Sequence, residues 1–147
     1  MEQPQVTTAA IIRFTETLQD RSTAFYTALA ERWPEHHETF QAFVAEGEKN
    51  KTLILRTYQE TISDALEASY SFEGLNPQDY VVDAALPADA TLAQAVQIAI
   101  ALEDAACAFY TQVAERSESL LATIPGAFRR VVKTRAKRKA RLEAILK

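Results

Sequence analysis

Two near-copies of one helical pattern, 84 residues apart, constrain this chain more than anything else in it. The set Gln19, Phe25, Tyr26, Leu29, Ala30, Glu31 recurs as Glu103, Phe109, Tyr110, Val113, Ala114, Glu115. Each copy is followed by a second helical stretch that opens on a phenylalanine, Phe40 or Phe128. That is the layout of a four-helix bundle made of two helix pairs.

Apolar periodicity places the helices at about 8–32, 35–67, 91–120 and 127–146, all within one domain spanning 1–147. In the first, Ile11, Leu18, Ser22, Phe25 and Leu29 recur at three- and four-residue steps. Thr7 or Thr8 can cap it, and Trp33-Pro34 ends it, because a residue before proline is pushed out of the helical region. The second carries Phe40, Phe43, Val44, Gly47, Lys51, Ile54, Leu55, Tyr58 and Ile62 on its stripe, with Lys51 the odd member. Asp89 or Thr91 can cap the third, and Ile124-Pro125-Gly126 is expected as a break before the fourth. Phe128, Val131, Val132, Arg135, Lys139, Leu142 and Leu146 are expected to face inward from the fourth. The stretch 68–90 holds Gly74, Asn76-Pro77 and Pro87, with a short helical piece expected near Pro77 to Val82. A connection this long can run the length of the bundle, which is the ferritin-like topology with one crossover between helices 2 and 3.

Composition excludes several classes. Three glycines and five prolines are too few for a turn-rich sandwich, and the 48% apolar content supports a real core. The single cysteine, Cys107, excludes an internal disulfide and any cysteine-rich zinc or iron–sulfur site; it reads as a small buried hydrophobe. No uninterrupted apolar run approaches membrane-spanning length and the start has no basic or apolar leader pattern, so a cytoplasmic protein is expected. The net charge of -4 hides an asymmetry: residues 1–127 hold 7 Lys/Arg against 19 Asp/Glu, whereas 128–147 hold 9 against one. The last helix is a basic rod on an acidic body.

The run E-x-x-A-x-x-F-Y-x-x-L/V-A, then F-x-x-F/L-x-x-x-x-E-x-x-H, resembles the rubrerythrin-like branch of the ferritin-like superfamily. Glu103 to Tyr110 fit the first half, and Phe40 to Glu48 the second. The resemblance covers roughly residues 8–66 and 91–146. It implies an all-α, ferritin-like antiparallel four-helix bundle. It also implies a di-iron centre built from one Glu on each of two helices and Glu-x-x-His on each of the others. Those six positions fall here on Gln19, Glu48, Lys51, Glu103, Ala136 and Lys139. Only two carboxylates survive, and lysine stands where histidine is expected on both helices. A protonated lysine has no lone pair to donate to a metal.

The resemblance therefore implies a former metal site turned into a polar core. Glu48 and Glu103 would accept hydrogen bonds, Lys51, Lys139 and Arg135 would donate, and Gln19 would bridge. No catalytic residue, metal or cofactor is assigned, and the chain reads as a structural or interaction module. Two other readings stay open. One is a divergent di-iron or di-manganese oxidoreductase recruiting shifted carboxylates such as Glu16, Asp20 or Asp104. The other is a binder of a small organic or anionic ligand in the bundle centre.

Remaining features point the same way. His36 and His37 are adjacent and face different directions, a poor metal pair. Phe25-Tyr26 and Phe109-Tyr110 serve packing, and Trp33 plugs the corner between helices 1 and 2. Arg129, Arg130, Lys133, Lys137, Arg138 and Arg141 cover more than half of the last helix. No aromatic residue is interleaved from 129 to 147, so this basic face is assigned to salt bridges or a homodimer interface rather than to nucleic acid.

Overall fold

The computed structural model describes residues 7–61, 72, 75–117 and 123–146. Four long helices make up the architecture: α1 Thr8–Arg32, α2 His37–Thr61, α3 Leu92–Arg116 and α4 Thr123–Ile145. The expected continuations of helix 2 past 61 and of helix 3 into 118–120 lie outside the described residues.

Local chemistry explains the helix ends. The Thr7 hydroxyl accepts from the Ala10 amide and opens α1. Trp33 leaves the helical region, and Pro34–His36 form one tight 3-10 turn before α2. Thr91 opens α3 with a full capping box: its hydroxyl accepts from the Gln94 amide at 3.1 Å, and the Gln94 side chain accepts from the Thr91 amide at 2.9 Å. The expected break at Ile124-Pro125-Gly126 is instead the first turn of α4. Amides there have no intrahelical acceptor, so a proline that lacks its N–H is tolerated. In the crossover, Pro77–Tyr80 form the expected short helical piece, as a 3-10 turn capped by Asn76.

Two apolar layers fix the direction of each helix. One joins Ile11 and Leu18 of α1, Ile54 of α2, Phe109 and Val113 of α3, and Phe128 and Val131 of α4. The other joins Phe25 and Leu29 of α1, Phe40 and Phe43 of α2, Val96 and Ala99 of α3, and Leu142 of α4. The start of α1 and of α4 thus lie at the same end as the finish of α2 and α3. Neighbouring helices are antiparallel, α1 on α2, α3 on α4 and α2 on α4, with α1 closing on α3 along a looser seam. This is the all-α antiparallel four-helix bundle with a long connection between α2 and α3, an arrangement consistent with the ferritin-like fold. The end of the connection is clamped by Arg32, which donates to the carbonyls of Pro87, Ala88 and Ala90. Among the described residues α3 alone is long and apolar enough to cross a membrane by composition, with a mean hydropathy of 1.4 over its most apolar window.

Candidate functional site

Between the two apolar layers the bundle axis is charged. Glu103 of α3 and Arg135 and Arg138 of α4 have side chains with no exposed surface. Arg135 donates Nη1 to Glu103 Oε2 at 2.9 Å and Nη2 to Gln19 Oε1 at 2.9 Å, with Ser22 Oγ at 3.3 Å from the same nitrogen. Arg138 donates Nη1 to Glu103 Oε1 at 3.1 Å, Nη2 to the Phe43 carbonyl at 3.3 Å and Nε to Glu46 Oε1 at 3.4 Å. Tyr26 donates its hydroxyl to Glu103 Oε1 at 2.8 Å. Gln19 Nε2 donates to the Tyr110 hydroxyl at 3.4 Å.

The sequence repeat is legible in this geometry. Tyr26 of the first copy reaches Glu103 of the second, and Tyr110 of the second reaches Gln19 of the first. Each tyrosine ring also faces a guanidinium, Arg138 over Tyr26 at 5.5 Å and Arg135 over Tyr110 at 5.6 Å. Two guanidiniums face the carboxylates of Glu103 and half-buried Glu46, so the cluster is balanced. Burial is the largest single influence and disfavours the charged Arg135, but the field of Glu103, with Tyr110, Tyr26 and the Glu103 hydrogen bond added, outweighs it and raises the pKa further. Burial, reinforced by the charge of Glu103, holds the Tyr26 phenol well above its ordinary pKa. Burial raises Tyr110 as well, although the charge of Arg135 opposes it. Both hydroxyls are neutral hydrogen-bonding groups at physiological pH.

Of the six positions singled out in the sequence, the structure brings Gln19 and Glu103 into this cluster and leaves four outside it. Glu48 and Ala136 are exposed. Lys51 is peripheral and pairs at 2.9 Å with Asp20; Lys139 pairs at 2.7 Å with Asp104. Each pairing raises its lysine, chiefly through the hydrogen bond. The polar core expected from Glu48, Lys51 and Lys139 is thus corrected by a one-residue change of register on both helices. The inward pair is Gly47 and Asn50 on α2, and Arg135 and Arg138 on α4. One residue is about 100° of helix rotation, enough to move a side chain from axis to rim. Arg138, assigned from sequence to the exposed basic face, is 1% exposed.

Gly47 is part of the fit. A methyl group there would lie 3.4 Å from Gln19 Oε1, the oxygen that accepts from Arg135. The small α2 residue leaves room for the α1 side chains Gln19 and Thr23, the first of which holds Arg135.

The arrangement does not suit a metal. A cation at the centre would meet two fixed guanidiniums, which have no lone pair to offer. Among the described residues no three His, Cys, Asp or Glu side chains are grouped to hold an ion. The shifted carboxylates do not converge: Asp20 and Asp104 are held by different lysines at the rim. His37 Nδ1 lies 3.4 Å from the Ala30 carbonyl and His36 packs by Phe40, away from the cluster. Cys107 is half-buried, its thiol pushed up mainly by burial, with Sγ 3.8 Å from the Val132 carbonyl.

The centre is occupied by the hydrogen-bonded side chains of the cluster. A cleft of about 460 Å³ lies to one side, on the loose α1–α3 seam, between Leu18, Phe25 and Leu102 under Tyr80 and Leu86 of the crossover. No protein-family model, curated protein or solved structure matches this chain.

Proposed function

We propose that this chain is a metal-free bundle protein of the rubrerythrin-like branch, acting as a structural or interaction module rather than as an enzyme. The observation that carries the reading is the occupancy of the bundle axis. Guanidinium groups of Arg135 and Arg138 sit on Glu103 where a carboxylate cage would need open coordination positions. A cation could enter only by displacing both arginines, leaving them buried without a partner, which is strongly unfavourable.

The reading includes a homodimer. Leu92, Ile98, Ile100 and Leu102 of α3 are only partly buried within one chain, which leaves apolar surface suited to a second copy. It also includes a cytoplasmic location without a membrane span. Glu103 on α3 is tied to α4, whose dense Lys and Arg content is unsuited to lipid.

The test is calorimetric titration of the purified chain with iron(II), manganese(II) and zinc(II), alongside light scattering for mass. The expected result is no stoichiometric heat with any of the three, and a mass of two chains. Saturable binding of one or two ions per chain at micromolar concentration would defeat the metal-free reading; a monomer mass at the same concentration would defeat the dimer.

A further inference from the structure

Five cations of α4 differ in how they are paired. Arg135, Arg138 and Lys139 have carboxylate partners. Arg130 and Lys133 do not; they line a groove on the α2–α4 seam together with Lys49, Asn50, Leu53 and Thr134. Among the described residues no carboxylate lines this groove, and Lys49, Arg130 and Lys133 make no ion pair with a described residue. Acids border the adjoining recesses instead, Glu48 with Lys49 and Arg56 on one side and Glu115 with Lys133 on the other. Three unneutralised cations thus converge on one concavity of a protein whose net charge is -4.

A second, independent observation lies at the floor. Asn50 is 7% exposed, and its amide nitrogen Nδ2 is buried without a hydrogen-bond partner. A buried donor with no acceptor is costly and rare. The terminal torsion of asparagine is broad and two-fold, so rotation of the amide can present Nδ2 to the groove. An oxyanion seated among Lys49, Arg130 and Lys133 would supply the missing acceptor.

We propose that this groove binds a phosphate-bearing small molecule, with the three cations neutralising the phosphate oxygens and the Asn50 amide donating to one of them. Three cations suit a group of several negative charges, a diphosphate rather than a lone carboxylate. The cavity, about 450 Å³, is of small-molecule size. No aromatic side chain lines it for base stacking, which favours a compact ligand over single-stranded nucleic acid.

The experiment is calorimetric titration of the full chain with sodium pyrophosphate at constant ionic strength of about 0.15 M. Saturable binding is expected. Arg130→Gln with Lys133→Gln should weaken it by about tenfold or more, whereas Lys137→Gln, which removes an exposed charge from the same helix outside the groove, should leave it within about twofold. Asn50→Leu should raise the unfolding temperature of the free protein while weakening pyrophosphate binding, a combination that a purely structural amide would not give. Three results would overturn the proposal: no saturable heat, equal weakening by Lys137→Gln, or unchanged affinity in Asn50→Leu. Phosphatidylglycerol vesicles and duplex DNA form the comparison arms; retention on either that pyrophosphate fails to compete away would also overturn it, and competition would support it.

Discussion

Replacing Glu103 by leucine removes the acceptor shared by both buried guanidiniums. The native cluster sets Arg135 and Arg138 against Glu103 and Glu46, and Glu46 is 36% exposed at its side chain. Glu103→Leu leaves two fully buried cations facing that one half-solvated carboxylate. Breaking a buried pair from one side costs about 3–5 kcal/mol. For a chain of this length each kcal/mol moves the unfolding temperature by about 2–4 °C, so a fall of about 6–20 °C is expected. Arg135→Met leaves Glu103 to Arg138 and should cost about 3 kcal/mol. The double variant removes one charge of each sign and leaves Arg138 facing Glu46, balanced again. Its remaining costs are the orphaned Gln19 oxygen and the Tyr26 hydroxyl, which Glu103→Leu alone also orphans, about 1–3 kcal/mol each. The double variant should therefore be no less stable than Glu103→Leu alone, with a coupling of at least about 2 kcal/mol across the cycle. Urea unfolding followed by far-ultraviolet circular dichroism on all four proteins gives that number. A loss under about 1 kcal/mol for Glu103→Leu, or additivity within about 0.5 kcal/mol, would refute the electrostatic account of the core.

Other expectations follow from the same geometry. Tyr26 and Tyr110 have folded pKa values above the ordinary 10.0, so above that pH the unfolded chain sheds their protons first. Their contribution to stability is complete below pH 10.0 and is lost as pH rises through their folded values; phenolate absorbance from two of the five tyrosines should appear only with loss of helix. Titration of all five before unfolding would contradict this. Gly47→Ala should stabilise α2 by about 0.5–1 kcal/mol in the same urea assay, because the added methyl meets Gln19 Oε1 at ordinary contact distance, 3.4 Å; a loss of stability would mean that the Gln19–Arg135 contact cannot yield. Thr91→Ala removes the α3 cap and should cost about 1 kcal/mol, and an unchanged midpoint would show the end to be frayed already. Lys51→Gln combined with Lys139→Gln should move the urea midpoint far less than Glu103→Leu, since both lysines pair at the solvent-exposed rim.

The duplication made the bundle readable, because a repeated apolar stripe and a long polar connection leave few other topologies. Register on α2 and α4 was harder. From its opening phenylalanine onward the buried positions on α2 are Phe40, Phe43, Gly47, Asn50 and Ile54, and on α4 Phe128, Val131, Arg135, Arg138 and Leu142. Both rows step by three and four residues without a break, so counting strictly from each opening phenylalanine would have found Asn50 and Arg138. Reading instead for Glu-x-x-His led to Glu48 and Lys51, and to Ala136 and Lys139, one residue off the axis. Arginine conceals a core position because composition marks it as surface; only its place in the heptad row reveals it. The pairing of Glu46 with Arg138 had no sequence signal, since it joins residues 92 positions apart across two helices.

The repeat also shows how a symmetric scaffold accepts an asymmetric core. Gly47 and Asn50 on α2 correspond to Arg135 and Arg138 on α4, each pair at the same three-residue spacing behind its opening phenylalanine. If both helices carried arginine, four guanidiniums would crowd the axis; if both carried glycine and asparagine, Glu103 would be buried without a cation. One small pair against one large pair satisfies volume and charge together. Arginine is suited to that role where lysine is not. A planar guanidinium can bond Glu103 with one nitrogen and Gln19 or the Phe43 carbonyl with another, while its face lies over a tyrosine ring. A lysine ammonium is more strongly hydrated and has no face to stack, and both lysines near this site are at the rim, paired with carboxylates. Central charge in this bundle is therefore a property of complementary partners on opposite helices, and exchanging a charged member without its partner leaves an unpaired ion in the core.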